Sequence, residues 1–166
     1  MNITSKRNIK NLLKKHKIRP SKGLGQNFLI DKEVIKKFIE SAELKPNDVV
    51  LEIGPGLGVL TRELAKKAGR VIAVEKDPMM VKVLKELLGC WNIRNVRIIK
   101  DDILKINPKY YIIPNTKYKI VANLPFYLTA PVIRKFLESN YQPRGMILMV
   151  QKEVGQRICA KPPDIN

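Results

Sequence analysis

The chain has 166 residues, of which 45% are hydrophobic and 28% charged, and its formal net charge is +17. This composition is that of one ordinary globular domain, and the excess positive charge favours a polyanionic partner or an anionic surface. The sequence has no run of 18 apolar residues and no apolar, cleavable leader, so we expect a cytoplasmic protein without membrane spans, monomeric by default. Cys90 and Cys159 lie far apart in a chain with one histidine, which predicts reduced thiols and no metal site.

Residues 1–30 form a basic N-terminal arm. They include eight Lys and Arg residues and no Asp or Glu, so about half of the net charge lies in this first fifth of the chain. A thin apolar stripe at Ile9, Leu12 and Leu13 predicts a helix over 5–17, followed by a loop with two glycines. We expect the arm to contact phosphates, with an affinity that falls steeply with salt; a lysine-rich composition that serves only solubility is the alternative.

Residues 31–166 alternate between predicted strands and helices and form the expected catalytic domain. Asp31 is the expected N-cap of a helix, and Pro78 fits the first turn of another. The predicted strands are 49–53, 71–74, 96–99, 120–122 and 146–150, and the predicted helices among them are 60–67, 78–88, 131–137 and 152–160. This order predicts an α/β fold with a mostly parallel sheet, helices on both faces and a ligand at the carboxyl ends of the strands.

A glycine-rich turn follows the first predicted strand. Gly54, Gly56 and Gly58 follow a G-x-G-x-G spacing, and glycine lets a backbone approach a ligand closely. Glu75 ends the second strand, 21 residues after Gly54, where a carboxylate can accept hydrogen bonds from both ribose hydroxyls of an adenosine. The glycines alone are weak support, because tight turns use them without a ligand, but with the acid they predict a nucleoside cofactor.

The turn differs from the G-x-G-x-x-G pattern that binds a pyrophosphate. Pro55 also removes a backbone N–H that a phosphate cradle would use. The sequence therefore favours S-adenosylmethionine, which has no phosphate, over NAD or FAD. Asp102, at the end of the third strand, either accepts from the adenine amino group of this ligand or is a solvated loop carboxylate.

The tetrapeptide Asn123-Leu124-Pro125-Phe126 ends the fourth strand and favours methyl transfer to a planar amino nitrogen. The exocyclic amine of adenine is a poor nucleophile, because its lone pair is delocalised into the ring. The Asn123 side-chain oxygen and a backbone carbonyl can accept its two N–H groups and favour pyramidal geometry. Pro125 restrains the backbone, and Phe126 can stack on the base, a contact worth about 1–3 kcal/mol. The alternative is a strand terminator with a buried Phe.

These residues together resemble the ribosomal RNA adenine N6,N6-dimethyltransferase family. The motifs that carry the resemblance are 23–31, 52–58, 123–126 and 151–154. The resemblance implies a Rossmann-like class I S-adenosylmethionine-dependent methyltransferase fold. It also implies a cofactor pocket formed by Asn27, Leu29, Gly54, Gly56, Gly58, Glu75, Lys76, Asp102, Ile103 and Asn123. The catalytic motif would be Asn123, Leu124, Pro125 and Phe126, in which the first, second and fourth residues hold the target adenine.

The similarity is greatest to the small-subunit branch of this family. Relatives that modify large-subunit RNA and confer macrolide resistance usually carry Ile at the position of Leu124. The small-subunit branch implies dimethylation of two adjacent adenines near the 3′ end of small-subunit ribosomal RNA, on a 30S ribosomal precursor. Large-subunit methylation and a non-catalytic RNA-binding assembly factor are the alternatives.

The sequence departs from the family pattern in two places. Many members have Tyr where this chain has Phe126, a change that keeps the stacking face. Family members also continue to a final strand and a small helical domain, so we expect the chain to be truncated before the last strand. That strand is expected between the fourth and fifth strands, where its absence would leave unpaired edges on both sides of a gap.

Overall fold

The computed structural model describes Ile3 and residues 5–18, 31–111 and 117–161. Within these ranges five strands form one sheet in the order β3-β2-β1-β4-β5, and every pair of neighbours is parallel. The strands are β1 (Val49–Ile53), β2 (Arg70–Glu75), β3 (Val96–Lys100), β4 (Tyr118–Asn123) and β5 (Gly145–Met149). The predicted parallel α/β sheet is therefore confirmed.

Six α-helices lie in the described residues: α1 (Lys6–Lys15), α2 (Lys32–Ser41), α3 (Val59–Lys67), α4 (Pro78–Cys90), α5 (Phe126–Leu137) and α6 (Lys152–Cys159). Asp31 and Asp77 begin α2 and α4 as N-caps, and each side chain accepts two backbone N–H groups of the first turn. None of these helices is long and apolar enough to cross a bilayer.

Apolar residues at alternating strand positions pack on both sides of the sheet. On one side, Val50, Val71 and Val121 belong to a cluster that includes residues of α1, α2, α3 and α4. On the other side, Leu51 and Ile72 belong to a cluster that includes residues of α5. Because side chains of a strand point alternately to opposite faces, both faces need a cover of helices, as the sequence predicted.

The fourth and fifth strands are direct neighbours, so the expectation of a gap between them is wrong. β5 pairs with β4 over five residue pairs, from Lys119 opposite Gly145 to Asn123 opposite Met149. This pairing satisfies backbone groups of β4 that a gap would have left open. The edges of the described sheet are β3 and β5, and all of β5 is only half-buried.

Helix α5 begins at Phe126, five residues before the start predicted at Pro131. The N–H of Leu128 donates to the carbonyl oxygen of Pro125 at 3.0 Å and forms the first turn. Pro131 lies inside the helix, where its missing N–H costs one hydrogen bond to the residue four positions earlier. The side chain of Phe126 therefore projects from a helix terminus rather than from a loop.

Helix α1 is packed into the domain rather than free of it. Ile9, Leu12 and Leu13 are buried in the same core cluster as α2, α3 and α4. Nζ of Lys15 forms an ion pair with Glu86 of α4, whose second carboxylate oxygen lies 3.2 Å from Nε2 of His16. The basic helix thus has a fixed place on the surface of α4.

Candidate active site

A cavity of about 630 Å³ opens at the carboxyl ends of the strands. Pockets for small molecules and cofactors have volumes of about 300–1,000 Å³. Its described lining comes from β1 and the turn after it, the end of β2, the segment from β4 into α5, and the residues after β5. A groove of about 540 Å³ between α2 and α3 has none of these strand ends in its described lining. The strand-end cavity is therefore the candidate site.

The turn after β1 depends on glycines in left-handed conformations. Gly54, Gly56 and Gly58 have φ angles of 66°, 55° and 76°. A Cβ atom at Gly54 would have no atom within 4 Å, whereas one at Gly58 would lie 2.4 Å from Cδ1 of Leu84. Gly54 and Gly56 line the cavity, and Gly58 instead allows the turn to pack closely against α4.

Glu75 is tied to this turn through its carboxylate. Oε2 accepts the N–H of Gly56 at 3.1 Å, and Oε1 accepts the N–H of Asp77 at 2.9 Å. Burial raises the pKa of Glu75, and these two N–H groups oppose the rise. Each carboxylate oxygen has a second lone pair, so the group can still accept bonds from a ligand's hydroxyls.

Asp102 lies just after β3, and its carboxylate is shared between two donors. Oδ2 is 2.9 Å from Nζ of Lys76, and Oδ1 accepts the N–H of Leu104 at 3.0 Å. Both contacts lower the pKa of Asp102. Lys76 lines the cavity and is 74% exposed, so a ligand amino group that reaches Asp102 must share this carboxylate with it. The side chain of Ile103 is buried in the core.

The Asn123–Phe126 segment joins β4 to α5 at the opposite wall. Asn123 ends β4, and the N–H of Leu124 donates to the carbonyl oxygen of Met149 at 3.1 Å. Pro125 is extended, with φ −62° and ψ 149°, and is the N-cap of α5. Leu124 is buried, whereas Phe126 is 62% exposed and lines the cavity. The segment does end β4, but the buried Phe of the alternative is wrong.

Two residues that were not among the predicted site residues also line the cavity. Tyr127 follows Phe126, and the two rings meet edge to face with centroids 5.9 Å apart. Glu52 lies in β1 and is 1% exposed, and burial raises its pKa to about 8. The sequence offers a sign of each. Tyr127 is a second aromatic residue directly after Asn123–Phe126, and Glu52 is the acidic residue that begins the glycine-rich motif.

The structure brings eight of the predicted site residues together around this cavity: Gly54, Gly56, Glu75, Lys76, Asn123, Leu124, Pro125 and Phe126. Asp102 joins them through Lys76, while Gly58 and Ile103 lie behind the lining. Asn27 and Leu29 lie outside the described residues, and their contacts with a cofactor stay predictions.

Comparison with known proteins shows the family of the chain. Residues 15–165 match the family model described as ribosomal RNA adenine dimethylase. The ribosomal RNA small subunit methyltransferase A of Dehalococcoides mccartyi is 47% identical over 157 residues, which are 95% of this chain and 53% of that protein. The protein of the same name from Halothermothrix orenii is 44% identical, over 91% of this chain and 51% of the relative. The chain spans about half the length of the curated relatives it matches.

Two solved structures share the fold. A dimethyladenosine transferase from Plasmodium falciparum has a TM-score of 0.71 and 29% identity, over 81% of this chain and 47% of that one. The 23S rRNA methyltransferase ErmE has a TM-score of 0.68 and 34% identity, over 79% of this chain and 50% of that one. These matches confirm the class I S-adenosylmethionine-dependent methyltransferase fold. The chain belongs to the ribosomal RNA adenine dimethylase family.

Proposed function

We propose that this chain is the catalytic part of an enzyme that dimethylates N6 of two adjacent adenines near the 3′ end of small-subunit ribosomal RNA. The observation that carries the proposal is a single cavity lined by the glycine turn, Glu75 and Asn123–Phe126. Two curated relatives, 47% and 44% identical, are named small-subunit methyltransferases, which supports the small-subunit target. The implied partner is a 30S ribosomal precursor, and the implied compartment is the cytoplasm.

The residues of the cavity fit S-adenosylmethionine as cofactor. The described lining has three carboxyl groups and one amino group, which favours a cationic ligand without phosphates. The open side of Gly54 admits a ligand close to the backbone, and Glu75 would accept the ribose hydroxyls. Asp102 would accept the adenine amino group. When bound, the cofactor supplies a methyl group on a sulfonium that is already a good leaving group.

The chain's own residues would hold and orient the target base. The side-chain oxygen of Asn123 and a backbone carbonyl of the same loop would accept the two N–H groups of the adenine amine. Phe126 offers an exposed aromatic face on which an unstacked base can lie, worth about 1–3 kcal/mol. The amine can lose its proton after the transfer, so the residues contribute mainly through orientation and in-line approach.

Two alternative functions differ in testable ways. A large-subunit methyltransferase would use the same cavity, and ErmE shares the fold with 34% identity. Leu124 and the identity to small-subunit relatives favour the other target. An RNA-binding assembly factor without catalysis would have no need for Glu75 or for the Asn123–Phe126 motif.

The deciding experiment is transfer of labelled methyl groups to undermethylated 30S and 50S particles, followed by mapping of the modified bases. The proposal expects label on two adjacent adenines near the 3′ end of the 30S RNA. Label on the 50S particle alone would establish the large-subunit alternative. Calorimetry that shows no binding of S-adenosylmethionine would overturn the enzyme hypothesis.

A further inference from the structure

Glu52 is a buried carboxyl group without a hydrogen-bond partner in the described part of the chain. It is 1% exposed, and both carboxyl oxygens lack a partner among these residues, as does the buried hydroxyl of Thr61 on α3. The hydroxyl and the backbone N–H of Thr61 are both close enough to oppose the rise in the pKa of Glu52, although neither reaches hydrogen-bond geometry with the carboxyl oxygens. An ionised carboxylate in such a place is costly unless a positive charge compensates it.

No such positive charge belongs to the described residues around Glu52. Glu75 on the neighbouring strand β2 is a second acid and raises the pKa of Glu52 further. Asp77, at the start of α4, adds a third acid to the described lining, in which Lys76 is the one amino group. Nζ of Lys76 is already 2.9 Å from Asp102 and forms no ion pair with Glu52. Among the described residues of the lining, Glu52 therefore has no cation beside it, and its charge must be balanced either by its own proton or by a bound cation.

We propose that Glu52 holds its proton in the ligand-free protein and releases it to solvent when the cationic methyl donor binds. Glu52 would thereby make the cavity prefer the charged donor over its neutral product. This inference rests on the proposed function. S-adenosylmethionine and S-adenosylhomocysteine differ by one methyl group and the positive charge on sulfur. A cation near a carboxyl group favours its ionised form, and the ionised form stabilises the cation by the same free energy.

The consequence for the reaction concerns release of the product. Methyl transfer removes the positive charge from the sulfur, so the ionised form of Glu52 loses the group that balanced it. Glu52 then regains one proton from solvent. The electrostatic attraction that stabilised the bound donor is therefore absent when the neutral product is bound. In each cycle the proton released by Glu52 on donor binding is returned after transfer.

The test compares the affinities of three ligands for the protein by calorimetry between pH 6 and pH 9. S-adenosylmethionine carries the sulfonium, sinefungin carries an amine at the same place, and S-adenosylhomocysteine is neutral there. The ratio of donor to product affinity should rise by up to about tenfold per pH unit and level off above the pKa of Glu52. Contributions that the ligands share, such as the ribose contact with Glu75, cancel in this ratio.

Calorimetry at pH 7 in two buffers of different ionisation enthalpy counts the protons directly. The two cationic ligands should release more protons on binding than S-adenosylhomocysteine does. Glu52→Gln keeps the shape of the side chain and should remove both the extra release and the pH dependence of the affinity ratio. Titration of the ligands themselves affects both proteins equally, so the comparison isolates Glu52.

Asp77→Asn is the matched control. It removes another carboxyl group from the same cavity, and the remaining amide oxygen can still accept the N–H groups that Asp77 caps. This variant should keep the pH dependence and the extra proton release. A Glu52→Gln protein that keeps them, or wild-type protein that releases equal protons with all three ligands, would overturn the inference. If Glu52→Gln does not fold, the wild-type proton counts decide. Failure of all three ligands to bind would overturn the proposed function itself.

Discussion

The carboxylate of Glu75 accepts the backbone N–H of Gly56 at 3.1 Å, and this bond joins the end of β2 to the glycine turn after β1. The N–H of Asp77 occupies the other carboxylate oxygen, at 2.9 Å. One side chain thus sets the shape of the turn and also offers acceptors to the cavity. A change at Glu75 should therefore affect ligand affinity more than a change at an acid on the protein surface.

Glu75→Gln should weaken the binding of S-adenosylhomocysteine by about tenfold to a hundredfold. The amide NH2 would take the place of one acceptor oxygen, so a ribose hydroxyl would lose its acceptor, and an unmatched buried donor costs about 1–3 kcal/mol. Calorimetry measures the affinity. Glu63→Gln, which removes a partly exposed acid of α3 paired with Lys66, is the control and should leave the affinity unchanged. Equal affinities of Glu75→Gln and wild type would remove Glu75 from the proposed ribose contact.

The ligand-free protein should lose stability as the pH rises from about 5 to about 8. Burial raises the pKa of Glu52 from an ordinary 4.5 to about 8, so its stabilising contribution is complete below 4.5 and is lost as the pH passes 8. Glu75, whose pKa is also raised, acts in the same direction. Urea denaturation at several pH values gives the free energy of unfolding.

In Glu52→Gln the free energy of unfolding should fall by a few kcal/mol less over this pH range than in the wild type, since an amide does not ionise. Asp48 and Asp102 do not add to this change, because their pKa values are lowered. Their contributions to the free energy of unfolding are lost at acidic pH instead. Parallel stability curves for the variant and the wild type between pH 5 and pH 8 would show that Glu52 does not change its charge there.

Asn123→Ala should abolish methyl transfer and leave RNA affinity nearly unchanged. The proposed role of Asn123 concerns one amine of the target, whereas RNA affinity comes mainly from phosphate contacts. Methyl transfer and filter binding on the same RNA measure the two effects. If both fell equally, Asn123 would have a structural role at the end of β4.

Phe126→Tyr should keep activity, and Phe126→Ala should weaken binding of the target base by about 1–3 kcal/mol. The tyrosine retains the stacking face that the alanine lacks. Because Phe126 is exposed, neither change should lower the melting temperature much. Quenching of a fluorescent adenine analogue at the target position reports stacking. Unchanged quenching in Phe126→Ala would place the base elsewhere.

We expect the basic helix α1 to bind RNA phosphates. Substitutions of its lysines test this better than a deletion of the helix does. Removing residues 1–20 would also remove Ile9, Leu12 and Leu13 from the core, so a fall in RNA affinity would have two explanations. Lys6 and Lys10 are exposed, and replacing both with Gln leaves the core intact. The double variant should bind RNA more weakly, with a salt slope smaller by roughly 0.7–0.9 for each phosphate that α1 no longer neutralises.

The control for this variant replaces Arg97 and Lys100, two exposed cations of the edge strand β3, with Gln. It removes the same net charge from another part of the surface and should leave the salt slope nearly as it is in the wild type. Equal salt slopes of RNA affinity for the α1 variant and the wild type would show that the basic arm does not contact phosphates and serves only solubility.

The positions of the strands, and the meeting of eight predicted site residues at one cavity, could be predicted from the sequence. Short apolar runs mark buried parallel strands, and the carboxyl ends of such strands meet at one edge of the sheet. The polar residues Glu75, Asp102 and Asn123, which follow three of these runs, were therefore identified as neighbours before their contacts were known. The motif from Asn123 to Phe126 indicated the family, because its chemistry depends on residues adjacent in the chain.

Only the tertiary structure decided the contacts that join distant segments. The pairing of β5 with β4, and so the absence of a gap between them, depends on hydrogen bonds between strands about 26 residues apart, which no local pattern encodes. The closeness of Gly58 to Leu84 is of the same kind. Glu52 and Glu75 are both acids at strand positions in the sequence. Only the structure distinguishes them: Glu52 is buried without hydrogen-bond partners among the described residues, whereas Glu75 accepts a hydrogen bond from the glycine turn. This difference matters because the surroundings of a carboxyl group determine its charge.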